Sequence, residues 1–472
     1  MAITALVKSS TLVVYPNEDT NLARVIEVSG APTFSDSYDT IERDVVRQAF
    51  STYAPLRGLE TTSGTTTLEL HGSGEQNLPP ESTLLYKAAF GALIGPESAN
   101  PAPTWAVVDT YFQYIITSDS VSPITWNDGT NDLPFDPALY EHKLVLTDVN
   151  QTPRADGLKP HMPVRLTHTG TLELIGFVVH ALDPGDDDPL NPGTPLTNGE
   201  VLVIAEKADP CSADAILDCG FLYSLRHMNG DQVLALQEYT ADYYRGDITR
   251  ETWLKNLSTE FTIDFQTGQV VLPSFNFEGG GVRYGNDDGV DVPFNDVKDT
   301  IYGTELNDTF DSSKTSPLIV QLADVYLENK SLTGTQSKDR FYQECVSGIQ
   351  ITMTNEVYKK ECIASVGVGE VIRTSRTVTG SLNTFYTGMD FQEAFKQDTQ
   401  YICRMVFNYA YQLNTSGTKD YTTEPGNIVA ISIPQLKFSE VGIEEDTGIF
   451  KYANSFSAEP VEGDDELYLA FM

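Results

Sequence analysis

Positive charge is scarce in this sequence. Thirty Lys and Arg stand against 67 Asp and Glu in 472 residues, a formal net charge of −37. Phosphate binding depends on Lys and Arg displacing counterions, so such a polyanion is poorly suited to grip nucleic acid or an anionic membrane surface. Cysteine is scarce too. Five residues, an odd number, make no disulfide framework. Cys211 and Cys219 are near enough to bridge a short loop, but reduced core or loop thiols are the simpler reading. Long apolar runs are missing: the best, Leu174–Leu182, is about half of what a bilayer span needs and contains His180. The N-terminal MAITALVKSSTLVVYP has its one Lys in mid-stretch and lacks the pattern of a secretory signal. The expectation is a chain made and folded in a cytoplasm, with no membrane partner.

Catalytic signatures are also lacking. His71, His142, His161, His168, His180 and His227 show no HExxH, HxH or Cys/His zinc spacing. Around Ser73 the outer positions of a nucleophile elbow hold His71 and Glu75. Gly367-Val368-Gly369 sits among β-branched residues without the helix a dinucleotide site requires, and no phosphate-cradling GxxxxGK[ST] occurs. Asp186-Asp187-Asp188 and Asn286-Asp287-Asp288 with Asp291 offer oxygens for Ca²⁺, yet neither matches an EF-hand loop. The expectation is no enzyme, no cofactor and no metal.

What is present is aromatic and strand-forming. With 40% hydrophobic residues, 22 Phe and 23 Tyr, the chain is too apolar to be disordered. Its length suggests two to four domains or lobes, at about 100–200 residues each. Thr66–Leu70, Phe261–Phe265 and Ile349–Met353 alternate polar and apolar, the period of a strand with one wet face. Ile428–Ile433, closed by Pro434, is continuously apolar and reads as a strand covered on both faces. Three helices are expected: after Pro79-Pro80-Glu81 with Leu84, Leu85, Ala88 and Ala89 inward; over Asp390–Gln397, burying Phe391 and Phe395; and over Thr249–Asn256 with Trp253 inward. Each would cover a sheet.

The organisation divides into blocks. Residues 1–134 and 220–300 read as one discontinuous β lobe, 135–219 as a small inserted β module with the exposed loop Asp183–Pro189, and 301–472 as a second lobe entered through an acidic connector. The segments Leu59–Thr66 and Thr374–Ser381 each precede a strand and then a helix. Ser258–Gly279 and Ser347–Ser365 are both hairpin-like. Two copies of one lobe would account for these matches. The stretch Leu467–Phe471 is either a final core strand or an arm docking on a neighbour.

Four segments, taken in order, carry a family resemblance. They are Glu60–Leu70 running through Gly72, Gly74 and Pro79-Pro80 to Phe90-Gly91; the hairpin Ser258–Gly281; Val378–Leu382 with Phe385-Tyr386, Phe391, Phe395 and Tyr401–Phe407; and Ile431–Gln435. Together they resemble the major tail tube proteins of long-tailed, siphovirus-like bacteriophages, of the enlarged type with two tube lobes in one chain. The resemblance implies a mainly β fold, with two sandwich-like lobes that complete a barrel, few helices and the 135–219 module as outer decoration. It implies self-association into stacked rings, as trimers with pseudo-sixfold symmetry or else as hexamers. Implied partners are a tape measure protein, a tail terminator and passing DNA that is not specifically bound, in a virion tail assembled in the host cytoplasm. The lumen-lining positions it points to are Thr65, Thr67, Glu69, Thr379, Ser381 and Asn383, and the acidity of the chain suits a bore that DNA must not adhere to. The alternative is a monomeric β-sandwich surface-binding or adhesin-like protein.

Overall fold

The alternating stretches pair into one antiparallel surface. The computed structural model describes residues 10–16, 19–41, 56–74, 78–96, 108–127, 132–134, 139–188, 193–225, 228–229, 232–233, 238–246, 249–285, 294–302, 318, 323–330, 341–343, 346–360, 370–385, 390–407, 411–413, 419–421, 427–446, 448–461 and 463–472. Eight strands form its central surface: β1 (Thr33–Ile41), β2 (Leu56–Thr67), β3 (Thr249–Gln266), β4 (Ser274–Gly279), β5 (Val346–Lys360), β6 (Glu370–Phe385), β7 (Val429–Asp446) and β8 (Ile449–Ala458). They lie side by side as β1-β2-β4-β3-β5-β6-β8-β7, every pair antiparallel. A two-residue side-chain period fixes which residues the core receives. Thr66, Phe275, Phe261, Met353 and Val378 align in one buried row across five strands.

The strand order repeats. β1 to β4 come from the first lobe, β5 to β8 from the second, and each set runs first, second, fourth, third across the surface. Gly64 on β2 lies beneath the ring of Phe277 on β4, and Gly380 on β6 lies beneath the ring of Phe456 on β8; a Cβ at either would strike that ring and a neighbouring carbonyl oxygen. An aromatic side chain folded over a strand glycine also pins register. The β3–β4 register shifts between Ser258 and Glu260, and the β7–β8 register shifts between Phe438 and Glu440. The hairpin Ser258–Gly279 therefore corresponds to Phe438–Ala458. The Ser347 strand corresponds instead to β1, which corrects the pairing expected from sequence.

Helix α1 (Thr83–Phe90) follows the two prolines as expected, is buried along its whole length, and stops at Gly91, whose positive φ of 112° lets its N–H reach the Lys87 carbonyl. The segment expected as a third helix, Thr249–Asn256, is the first half of β3. It pairs with Tyr239–Arg245, and Trp253 stacks on Phe34 and Phe277. Its Thr and Trp residues favour a pleated, half-buried surface, and tertiary pairing overrides the helical spacing. Helix α2 (Phe294–Ile301) lies in what reads as connector and is anchored by a polar cluster. There the fully buried Asp242 accepts from Tyr15, Tyr302, Arg250 and Thr252. Helix α3 (Asp390–Lys396) buries Phe391 against Phe438 and Tyr452 but leaves Phe395 45% exposed, contrary to expectation.

A separate closed barrel joins, in order, Tyr140–Leu146, Glu200–Ala205, Thr171–Leu182, Pro163–His168, Ile216–Asp218 and Tyr114–Pro123. The last of these strands precedes position 135, where the module was expected to begin. The barrel's core of Ile116, Leu144, Leu146, Val164, Leu166 and Leu174 runs on into Ile94, Leu222, Val406, Ala430 and Tyr468 of the main body. Residues Tyr468–Phe471 form a buried strand between Phe221–Ser224 and the start of β7. Strand β7 itself continues through Pro434, where a run closed by proline was expected to end.

Candidate functional site

The polar groups nearest to a chemical centre are structural fastenings. Among the described residues, Asp119, His142 and Cys211 form the only group of three potential metal ligands. The His142 ring sits 2.8 Å from Asp119 through Nδ1 and 2.9 Å from the Lys207 carbonyl through Nε2, and the Cys211 N–H donates to the same carboxylate. These contacts tie the Lys207–Cys211 loop to the barrel wall. Burial pushes the Cys211 and Cys403 thiols up to about 12 and the Cys219 thiol higher still, which leaves all three protonated and poorly nucleophilic. Cys211 and Cys219 are both free. Burial and the nearby Arg404 guanidinium push His161 down to about 3, so its ring is neutral. In the acidic loop, Asp183 accepts from the backbone of Arg154 and Ala155, Asp186 holds the Arg154 side chain, and Asp188 lies 3.8 Å from Lys143. The second acidic loop expected from sequence, 286–291, lies outside the described residues.

The extended feature of the molecule is the other side of the eight-stranded surface. Its side chains are hydroxyls and amides, set in rows. Thr67, Ser274, Thr262, Thr352, Thr379 and Ser457 are successive register partners over six strands. Thr65 donates to Asn276, and Asn276 donates to Glu260, giving a hydrogen-bonded ladder over three strands. Each of the positions singled out from sequence lies on this side: Thr65, Thr67, Ser381 and Asn383 half-exposed, Thr379 exposed, and Glu69 half-exposed just past the end of β2. The carboxylates on this side are Glu69, Glu260, Asp264, Glu278, Glu356, Glu440 and Glu444, with Lys437 beside Ser457 and Lys451 at one end over the Phe385 ring. Negative charge outweighs positive on this face, in keeping with the overall −37. Sequence reasoning missed that the two lobes present one face, because alternation reports which side a residue takes and not which strands are neighbours.

The two ends of the surface match each other. Within the chain, the last strand of the first lobe pairs with the first strand of the second: Thr262 opposite Thr352, Ile263 opposite Ile351, Asp264 opposite Gln350. Glycine alignment and the shared register shift make Ile443 on β7 the counterpart of Ile263 on β3. Ile263 is 1% exposed and Ile443 is 41% exposed. Past the register shift, β7 ladders with β8 alone among the described strands, and β1 with β2 alone. No signal in the local sequence marks Ile443 as exposed, since its alternation matches that of Ile263.

The sequence matches the family described as phage tail tube protein over residues 6–449. Among solved structures, one described as a crystal structure of Hcp protein aligns with 29% of this chain and 87% of its own, at 7% identity and a TM-score of 0.16, a likeness too slight to bear on function. No curated protein matches the chain.

Proposed function

The chain belongs to the phage tail tube protein family, and we propose that it builds a siphovirus-like tail tube by completing its central sheet with copies of itself. The observation that carries this reading is the β3–β5 junction inside the chain. Carried over to the free stretch of β7, the same register sets Ile443 of one copy opposite Phe34 of the next, Gly442 opposite Ser35 and Glu444 opposite Thr33. Such a contact is heterologous, so repeating it by rotation closes a ring. Closure removes the exposed edge and buries the apolar side chain left half in water. Since each chain supplies two four-stranded units, three copies give a pseudo-sixfold ring, and a hexamer would double the wall.

The uncovered polar face becomes the bore. Thr65, Thr67, Glu69, Thr379, Ser381 and Asn383 line it together with Glu260, Asp264, Glu278, Glu356, Glu440 and Glu444. Hydroxyls, amides and carboxylates let a polyanion slide, whereas a wall of Lys and Arg would release counterions and hold the phosphates. Stacked rings of this kind form the tail of a virion assembled in the host cytoplasm, with a tape measure protein inside and a terminator at one end. Residues 1–134, apart from the strand Tyr114–Pro123, make one tube lobe with 220–300, and 301–472 make the other. The inserted module, 135–219 together with the strand Tyr114–Pro123, stands on the outside.

The test is negative-stain microscopy of the purified protein over a concentration series. Rings or tubes are expected for the wild type, and none for Ile443→Asp, which leaves the dilute monomer folded because the side chain is already exposed. A wild-type protein that stays monomeric at every concentration would sink the reading.

A further inference from the structure

The barrel holds a cluster that does more than fasten a loop. Asp119 lies on the strand Tyr114–Pro123, His142 on the neighbouring strand Tyr140–Leu146, and Cys211 in the loop that follows Glu200–Ala205. The two strands pair with Asp119 opposite Leu144 and His142 opposite Val121, so the two side chains are diagonal neighbours on one face. Both side chains are fully buried, and Cys211 is buried beside them. One carboxylate oxygen, one ring nitrogen and one sulfur thus come within 4.8 Å of one another. Spacing rules miss this set because barrel closure, not a short motif, assembles it.

The contacts inside the cluster ask for a cation. His142 presents both ring nitrogens to acceptors, Nδ1 to the Asp119 carboxylate at 2.8 Å and Nε2 to the Lys207 carbonyl at 2.9 Å. A neutral imidazole has one N–H and one lone pair, so one of these contacts needs a positive group between its partners, either a second proton or a metal ion. A metal on Nδ1 keeps the N–H on Nε2, donating to a backbone carbonyl, which is the outer contact that metal-bound histidines make. The carboxylate divides in the same way. Oδ2 of Asp119 accepts the Cys211 N–H at 2.8 Å, whereas Oδ1 is buried with no hydrogen-bond partner among the described residues. A buried oxygen left without a donor costs stability, and a metal ion satisfies it. On the sulfur side, the Lys207 ammonium stands 3.7 Å from Cys211 Sγ and favours the thiolate that a metal requires.

We infer that Asp119, His142 and Cys211 bind one Zn²⁺ ion, with a water in the fourth position. Mixed oxygen, nitrogen and sulfur ligands suit this borderline-soft ion. A carboxylate and a thiolate cancel its charge, so the buried cluster stays neutral. Binding releases the thiol proton that burial otherwise retains. Zinc–ligand lengths of about 2.0–2.3 Å set tetrahedral ligands roughly 3.3–3.8 Å apart. The sulfur therefore closes in on loading, and a loop residue has the freedom to do so. The ion staples the Lys207–Cys211 loop to the barrel wall, whatever the state of assembly of the copies.

The experiment takes the full-length wild type, strips it with EDTA, reloads it with Zn²⁺ or Co²⁺, and measures retained metal by mass spectrometry after gel filtration. One equivalent of zinc per chain is expected, and the cobalt form shows a thiolate-to-cobalt charge-transfer band in the near ultraviolet. Cys211→Ser removes that band and weakens zinc binding at least about tenfold, while Cys403→Ser changes neither. Zinc raises the melting temperature of the wild type, because it binds the folded chain, and leaves that of Cys211→Ser unchanged. A wild type that retains no zinc overturns the site, and so does a cobalt band that survives in Cys211→Ser. If the variant fails to fold, X-ray absorption at the zinc edge of the wild type decides. A single sulfur among nitrogen and oxygen neighbours supports the site; no sulfur, or more than one, overturns it.

Discussion

Ile263 and Ile443 hold the same place in two copies of one lobe, yet one is sealed in the core and the other is 41% exposed. Phe90 and Phe395 differ in the same way at the ends of α1 and α3. The paired positions carry the same or similar residue types and lie on the same kind of local element. What differs is that the first lobe has the second beside it, and the second has nothing described at its far side. Exposure here reports position in a series, so surface apolar residues that look unfavourable in one copy are the ones a repeat would cover.

The widest separation between the lobes is expected at the helix ends. Phe90→Ala should cost about 3–5 kcal/mol of folding stability, as for other fully buried phenylalanines, whereas Phe395→Ala should stay within about 0.5 kcal/mol. Equal losses in a denaturant titration of the dilute protein would break the comparison. The two strand glycines should behave alike instead. Gly64→Val and Gly380→Val each drive a side chain into a phenylalanine ring and a carbonyl, with a cost of about 3 kcal/mol. Gly30→Val, with nothing nearby for its Cβ to meet, should be much milder. A large gap between Gly64 and Gly380 would show that the lobes are not built the same way.

A pH-dependent effect separates the barrel contact from both lobes. His161, beside the buried Arg404–Glu328 pair, has its folded value lowered to about 3 against an ordinary 6.5. The unfolded chain therefore takes up the proton first, and stability falls as pH drops from about 6.5 towards about 3, by at most about 1.4 kcal/mol per pH unit. His161→Gln should flatten the acid limb of the melting profile in that window. An unchanged limb would mean that the neutral imidazole is not what acid disturbs.

Strand content was legible in the sequence because alternation and continuous apolar runs report burial directly, as at Phe261–Phe265 and Ile428–Ile433. The polar positions Thr65, Thr379 and Ser381 were legible for the same reason. The helix expected at Thr249–Asn256 shows the limit: its spacing suits a helix, and only pairing with Tyr239–Arg245, distant in no local sense but invisible to periodicity, makes it a strand. The exposure of Phe395 and Ile443 was not legible at all, since it depends on which lobe borders which. The repeat was half visible, through Gly64 and Gly380. Its other half was misaligned because hairpins resemble one another until register shifts are seen.

One feature of β3 bears on how such an object would carry load. Its 18 residues run from the pairing with Tyr239–Arg245 to the pairing with β5 at the lobe junction, bending at Lys255, whose φ is 53°, and shifting register between Ser258 and Glu260. A pull along that strand is borne by covalent backbone and loads its ladders in shear, with many hydrogen bonds sharing the stress at once. A sheet stitched from separate short strands would yield one bond at a time, like a zip. Continuous girders of this sort let a thin wall stay rigid while a stiff polymer is driven past it.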